Sequence, residues 1–184
     1  MRQKFTLAMM LLCAILSGCT QTETSEESTD DTSSLVNLGD TLPAFSVTDN
    51  AGHVYSNSTL KGHISVIVFF NTTCPDCQHE LPAIDSLYRI YQKQESFRLI
   101  AVSRAQDSAS VSTYWQAQGF CMPYSAQPSR DIYQLFATQT IPRIYISNRN
   151  NTVISKFDDT QMPDITYLSK IISFSSISAV HCRR

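Results

Sequence analysis

The segment Ile64-Ser65-Val66-Ile67-Val68-Phe69-Phe70 constrains this chain more than any other. It is apolar almost throughout and rich in β-branched residues, which suits a strand covered on both faces. The chain then runs straight into Asn71-Thr72-Thr73-Cys74-Pro75-Asp76-Cys77-Gln78-His79-Glu80-Leu81-Pro82, a polar stretch holding two cysteines three positions apart. Such a pair can hold a metal, make a structural staple, or exchange a disulfide.

The flanking pattern places the pair at a strand–helix junction. Ile84, Leu87, Tyr88 and Tyr91 recur at helical spacing, with Pro82 inside the pattern as an expected kink. Phe97 to Val102 is a second apolar strand, so residues 64 to 103 form a strand–helix–strand unit with parallel strands. Upstream, Leu42 to Thr48 and Val54-Tyr55 flank an Asp-Asn-Ala-Gly turn and predict a β-hairpin; Leu60 to His63 reads as a loop. Downstream, the expectations are a helix over 110–118 stopped by Gly119 and a short helix over 129–138. A strand from Ile141 to Ile146, its partner from Thr152 to Phe157, and a last helix over 165–174 capped by Asp164 complete the set.

The fold is therefore expected to be α/β, a central mixed sheet flanked by helices with an N-terminal β-hairpin. An apolar fraction of 42% supplies a core without help from disulfides, and a net charge of −2 with no basic run argues against nucleic acid as a partner.

The first residues read as a targeting segment. Arg2 and Lys4 precede an apolar run from Phe5 to Ile15, which is short for a membrane span. Leu16-Ser17-Gly18-Cys19 resembles the lipobox of bacterial lipoproteins, which implies cleavage before Cys19 and lipid attachment to it. Residues 1–18 are then a signal peptide, and residues 19–37, acidic and rich in Ser and Thr, a flexible tether. The folded domain is expected over 38–175 and a loose tail over 176–184. The anchor implies an extracytoplasmic, membrane-attached domain, facing the periplasm, where disulfides persist. Once Cys13 leaves with the signal and Cys19 carries lipid, Cys74, Cys77, Cys121 and Cys182 remain. They allow three pairings, among which the sequence does not choose.

At a helix N-terminus, free N–H groups and the helix dipole favour an anion, and the thiolate is the nucleophile of disulfide exchange. Cys74 is placed to attack, Cys77 to resolve, and Pro75 to start the helix without losing a hydrogen bond. The order of strand, Cys-x-x-Cys, helix, strand, and then Ile141-Pro142 ahead of a hairpin and last helix resembles the thioredoxin fold. SVIVFFNTTCPDC, Glu80, Pro82, FRLIAVSRAQD and TIPRIYIS bring it closest to the TlpA/ResA branch of exported thiol–disulfide oxidoreductases, over roughly residues 38–175.

That resemblance implies a redox-active Cys74–Cys77 disulfide with no other cofactor and no metal. Pro142 is then a cis-proline facing the pair, and Ile141 offers backbone to substrate. Thr73, Pro75 and Asp76 join Ile141 as substrate contacts. Glu80 takes the role of general base, since the strand position used by thioredoxins proper is here Val68. Partners are protein thiols or disulfides and a membrane electron donor, and the chain is expected to be monomeric. Two features depart from the branch or bear on direction. Thr73 stands where the branch has Trp, the single Trp being Trp115. Asp76 places negative charge beside Cys74, which disfavours a thiolate and leans the pair towards reduction of substrates. Two rivals carry less. A peroxiredoxin would have Thr and Pro where this chain has Asn71 and Ile67. A copper chaperone would recruit His79, Cys121-Met122 or His181-Cys182.

Overall fold

The computed structural model describes residues 33–177. The expected signal peptide, Cys19, most of the tether and Cys182 lie outside the described residues. Among the described residues, no helix is long and apolar enough to cross a membrane.

A short hairpin opens the fold. β1 (Ser46–Thr48) pairs antiparallel with β2 (Val54–Ser56), and the Asp49 carboxylate ties the turn by accepting the N–H groups of Ala51 and His53. One helical turn follows, α1 (Asn57–Leu60), where the sequence suggests a loop from Leu60 onward. Ser56 and Thr59 form a reciprocal capping box that stabilises it.

The main sheet is built around β3 (Ile64–Phe70), every residue of which is at most 1% exposed. On one side β3 pairs parallel with β4 (Phe97–Ser103), which pairs parallel with a two-residue edge strand, β5 (Tyr124–Ser125). On the other, β3 pairs antiparallel with β6 (Arg143–Ser147), and β6 with β7 (Val153–Phe157). The order β5-β4-β3-β6-β7 makes a mixed five-stranded sheet with β3 at its centre. Because strand side chains alternate faces, Phe69 and Phe70 serve separate layers. Phe69 packs on Tyr133, Phe136 and Tyr145, and Phe70 on Trp115.

Four helices complete the described fold: α2 (Pro75–Tyr91), α3 (Ser108–Gln118), α4 (Asp131–Gln134) and α5 (Ile165–Ile177). α2 connects β3 to β4, as the pattern predicts, and continues through Pro82. Gly119 ends α3 in the left-handed region, φ 66°, where a side chain is strained. α5 is capped by Asp164, whose carboxylate accepts the Tyr167 N–H, and is pinned to α2 by the Tyr91 hydroxyl at the Ser169 carbonyl.

The structure moves several sequence boundaries, among them the start of β1 to Ser46, of α3 to Ser108 and of β6 to Arg143. α4 is a single turn rather than a helix over 129–138. α5 runs to Ile177, three residues past its expected end at 174. At the other end, Ser33 to Asn37 belong to the fold rather than to a free tether. Ser34 bridges to Ala137, the Leu35 N–H bonds the Phe136 carbonyl, and Val36 is 4% exposed within the core. The segment looks unstructured by composition, yet backbone bonds, the hydroxyls of Ser33 and Ser34 and one buried apolar residue hold it.

Candidate active site

β3 and β4 end side by side at Phe70 and Ser103, and the two cysteines follow at the carboxyl end of β3. Cys74 is the N-cap of α2, with extended backbone, and Pro75 occupies the first helical position. The Cys77 N–H donates to the Cys74 sulfur at 3.5 Å, satisfying one of the free donors at the helix start. Cys74 is half-buried and Cys77 fully buried, so only Cys74 offers its sulfur to a large substrate.

Both are free thiols in this structure. Burial pushes the Cys77 thiol far up, its hydrogen bond with Cys74 adds to this, and the positive charge of Arg104 pulls weakly the other way. The buried thiol therefore holds its proton until a base removes it.

Glu80 stands one helical turn beyond Cys77, on the same buried face of α2. It is 5% exposed, its Oε1 has no hydrogen-bond partner, and burial raises its pKa from 4.5 to about 7. A carboxylate poised near neutrality is suited to trade protons with a thiol. Val68, on β3, is wholly buried and offers no proton acceptor.

Across the site, the Ile141–Pro142 peptide bond is cis and both residues are buried. The Cys74 thiol donates to the Ile141 carbonyl at 3.5 Å, which brings these two distant parts of the sequence together. The loop before Pro142 is fastened from below by the Tyr133 hydroxyl, which donates to the Thr140 carbonyl, and by the buried Arg143 guanidinium, which bonds Thr140 Oγ1 and Ser33 Oγ. Pro75 and Asp76 are exposed on the first turn of α2. Thr73, also exposed, turns its hydroxyl to Asn71 Oδ1 at 2.8 Å. Trp115 lies in the core against Phe70 and Tyr124, with its N–H on the Met122 carbonyl, and provides no aromatic shield for the pair. His79 is exposed on α2. Cys121 is an exposed free thiol that lines a separate cavity of about 550 Å³ with Tyr55, Tyr88 and Arg98.

The sequence gives no role to a second set of residues that shapes the site. Gln106, from the loop after β4, bonds Thr72 through both ends of its amide, and Gln78 on α2 donates to the Thr72 carbonyl. No local signal marks these contacts, because Thr72 and Gln106 are 34 positions apart.

Comparison with known proteins agrees with this geometry. Residues 38–156 match the model of the AhpC/TSA family. The thiol-disulfide oxidoreductase ResA of Geobacillus kaustophilus is 25% identical over 152 residues, covering 83% of this chain and 86% of that protein. ResA of Bacillus anthracis is 24% identical over 136 residues, covering 73% and 78%. A thioredoxin-family thiol:disulfide interchange protein from Chlorobium tepidum superposes with a TM-score of 0.64 at 19% identity, covering 76% of this chain and 97% of that one. This chain belongs to the AhpC/TSA family, and is a TlpA/ResA-like thiol–disulfide oxidoreductase of the thioredoxin-like superfamily.

Proposed function

We propose that the chain exchanges disulfides with extracytoplasmic partner proteins through Cys74 and Cys77, in the direction of substrate reduction, from a lipid anchor at Cys19. The observation that carries the site assignment is the half-buried Cys74 at the start of α2. Its sulfur meets the Ile141 carbonyl and the N–H of the buried Cys77, and one helical turn beyond Cys77 the Glu80 Oε1 is buried without a hydrogen-bond partner.

The chemistry follows from access and proton affinity. The Cys74 thiolate attacks one sulfur of a substrate disulfide. A Cys74–substrate disulfide forms, and the other substrate sulfur leaves as a thiolate. Glu80 takes the proton of Cys77, and the Cys77 thiolate attacks the Cys74 sulfur. The Cys74–Cys77 disulfide forms and the second substrate sulfur leaves. Two electrons have passed to the substrate, and a membrane thiol donor returns them. Ile141 presents backbone to the substrate strand, while Thr73, Pro75 and Asp76 rim the attacking sulfur. The redox pair itself serves in place of any added cofactor, and a single chain supplies every group in this scheme.

Direction is the finer step. The lean towards reduction rests on Asp76, exposed in the first turn of α2 beside Cys74, where it places negative charge at the redox pair. A reduction potential near that of a strong oxidant would remove this preference. The metal-chaperone alternative has less support, because a cysteine pair at a helix start facing a cis-proline is better explained by disulfide exchange. For a peroxidase, Asn71 and Ile67 occupy the positions where Thr and Pro would be needed.

The decisive experiment is Cys77→Ala in the native compartment. Cys74 should then hold partners as mixed disulfides that mass spectrometry identifies. An accessible, reduced Cys74 that traps nothing would overturn the assignment. Radiolabelled fatty acid incorporated into wild type but not Cys19→Ala tests the anchor.

A further inference from the structure

Three residues, Asn71 to Thr73, separate the buried end of β3 from the attacking thiol. Their polar groups are bound with unusual completeness. The Thr72 N–H donates to Gln106 Oε1 at 2.7 Å, Gln106 Nε2 donates to Thr72 Oγ1 at 2.7 Å, and Gln78 Nε2 donates to the Thr72 carbonyl at 2.7 Å. Two glutamine side chains thus take the N–H, hydroxyl and carbonyl of one residue, which is 8% exposed. A backbone N–H can only donate, so the orientation of the Gln106 amide is fixed. Asn71 completes the loop: its Oδ1 accepts the Thr73 N–H and hydroxyl, and its Nδ2 donates to the Arg104 carbonyl.

Gln106 is itself held in place. Ala105, just before it, has φ 56°, a left-handed conformation that a residue with a Cβ adopts only when its surroundings enforce it. Here the Ala105 N–H bonds the Ser129 carbonyl and the Gln106 N–H bonds the Gln127 carbonyl. The Gln127 N–H in turn rests on Ser103 Oγ at 2.7 Å. The strained backbone aims one amide at one residue, two positions before the nucleophile.

We infer that Gln106 is a positioning residue of the redox centre: by gripping Thr72 it sets where the Cys74 sulfur stands relative to Cys77 and the Ile141 carbonyl. This rests on the assignment of Cys74 and Cys77 proposed above. Gln106 touches neither sulfur, so its effect passes through the loop. Releasing the loop widens the range of Cys74–Cys77 separations. That lowers the effective concentration of one thiol at the other and misplaces the nucleophile.

The test uses the full-length chain with insulin disulfides as the probe and glutathione as the redox reference. Gln106→Leu removes both hydrogen bonds. The expected result is a roughly 10- to 100-fold fall in insulin reduction rate, and an internal disulfide about tenfold easier for glutathione to reduce. Gln106→Glu keeps an acceptor for the Thr72 N–H and lets the Thr72 hydroxyl donate, so it should recover the insulin reduction rate to within about threefold. Thr72→Val removes the side-chain bond alone and should give an intermediate loss. Combined with Gln106→Leu it should add nothing further, because both act through one contact. A purely structural role would lower the melting temperature and leave the glutathione equilibrium of the folded protein unmoved. Wild-type rate and equilibrium in folded Gln106→Leu would overturn the inference, as would additive losses in the double variant. Should Gln106→Leu fail to fold, a wild-type equilibrium in Thr72→Val overturns it instead. Cys74→Ser separates the two levels: if that variant still reduces insulin, the site assignment itself fails, whatever Gln106 does.

Discussion

Helix α2 buries two carboxylates, five residues apart, in opposite circumstances. Asp85 is 5% exposed, and its oxygens accept the N–H groups of Cys121 and Met122 at 2.6 and 2.8 Å and the Arg89 Nε at 2.6 Å. Glu80 is equally buried, yet its Oε1 meets no donor, and burial lifts it to about 7. The difference teaches what a buried acid is for. Where donors surround it, the charge organises the chain: Asp85 locks the segment after Gly119 onto the helix. Where donors are withheld, burial keeps the proton on until near neutrality, and in the function proposed above that acid exchanges it with the Cys77 thiol one helical turn away.

The comparison breaks most visibly in activity. Glu80→Gln keeps the shape and removes the proposed base. The resolving step, read as decay of a preformed mixed disulfide at Cys74, should slow by about 10²- to 10⁴-fold. Asp85→Asn should leave that decay within about twofold per folded molecule. Equal slowing in both would mean that Glu80 is only another packing residue.

The roles reverse in stability. Asp85→Ala strands two N–H groups in a buried setting, at a cost of about 3 kcal/mol in chemical unfolding. Glu80→Gln should not destabilise at neutral pH, and should gain stability there, because it removes a carboxyl that burial disfavours in its charged form. A loss below about 1 kcal/mol for Asp85→Ala would show that water replaces the carboxylate, and that the helix does not depend on it.

The pH dependence carries a definite sign. In the unfolded chain the Glu80 carboxyl titrates near 4.5, and in the fold at about 7. Between those values the folded protein holds a proton that the unfolded chain has released, so stability falls as pH rises. The favourable contribution is complete below pH 4.5, and above pH 7 the protein carries a penalty on the order of 3 kcal/mol. Wild type minus Glu80→Gln, measured by denaturant unfolding from pH 4.5 to 8, should trace that decline. A flat difference would place the carboxyl near its ordinary value and weaken its claim to be the base. The same window should appear as a rising limb in the exchange rate, as Glu80 becomes able to accept a proton.

How far this contrast was legible in the sequence depends on the range of each interaction. β3 declares itself by a continuous apolar run, α2 by spacing, and Cys74 and Pro142 by motif and resemblance, because each signal lies within a few neighbouring letters. The spacing of Ile84, Leu87, Tyr88 and Tyr91 marks one face of α2, and only the structure puts Glu80 with Cys77, Leu81 and Ile84 on its buried side. Nor does the spacing show whether donors wait there. Asp85 and Glu80 are alike as letters; the N–H groups that separate them belong to Cys121 and Met122, more than 30 positions on. The same reason hid β5, which pairs with β4 through two residues, the Ser33–Asn37 segment, whose bonds run to Phe136 and Thr138, and the grip of Gln106 on Thr72.

The smallest prediction sharpens the structural half of the comparison without touching a carboxylate. Gly119 turns the chain at φ 66°, its carbonyl accepts from Arg89, and two residues later Cys121 presents its N–H to Asp85. A Cβ there meets nothing within 4 Å, so Gly119→Ala acts through backbone strain alone. It should destabilise by about 1 kcal/mol and leave mixed-disulfide decay unchanged. Combined with Asp85→Ala, the two losses should be less than additive, since each already loosens the same turn. Full additivity would mean that Gly119 shapes the end of α3 and nothing more, and that Asp85 holds Cys121 and Met122 by itself.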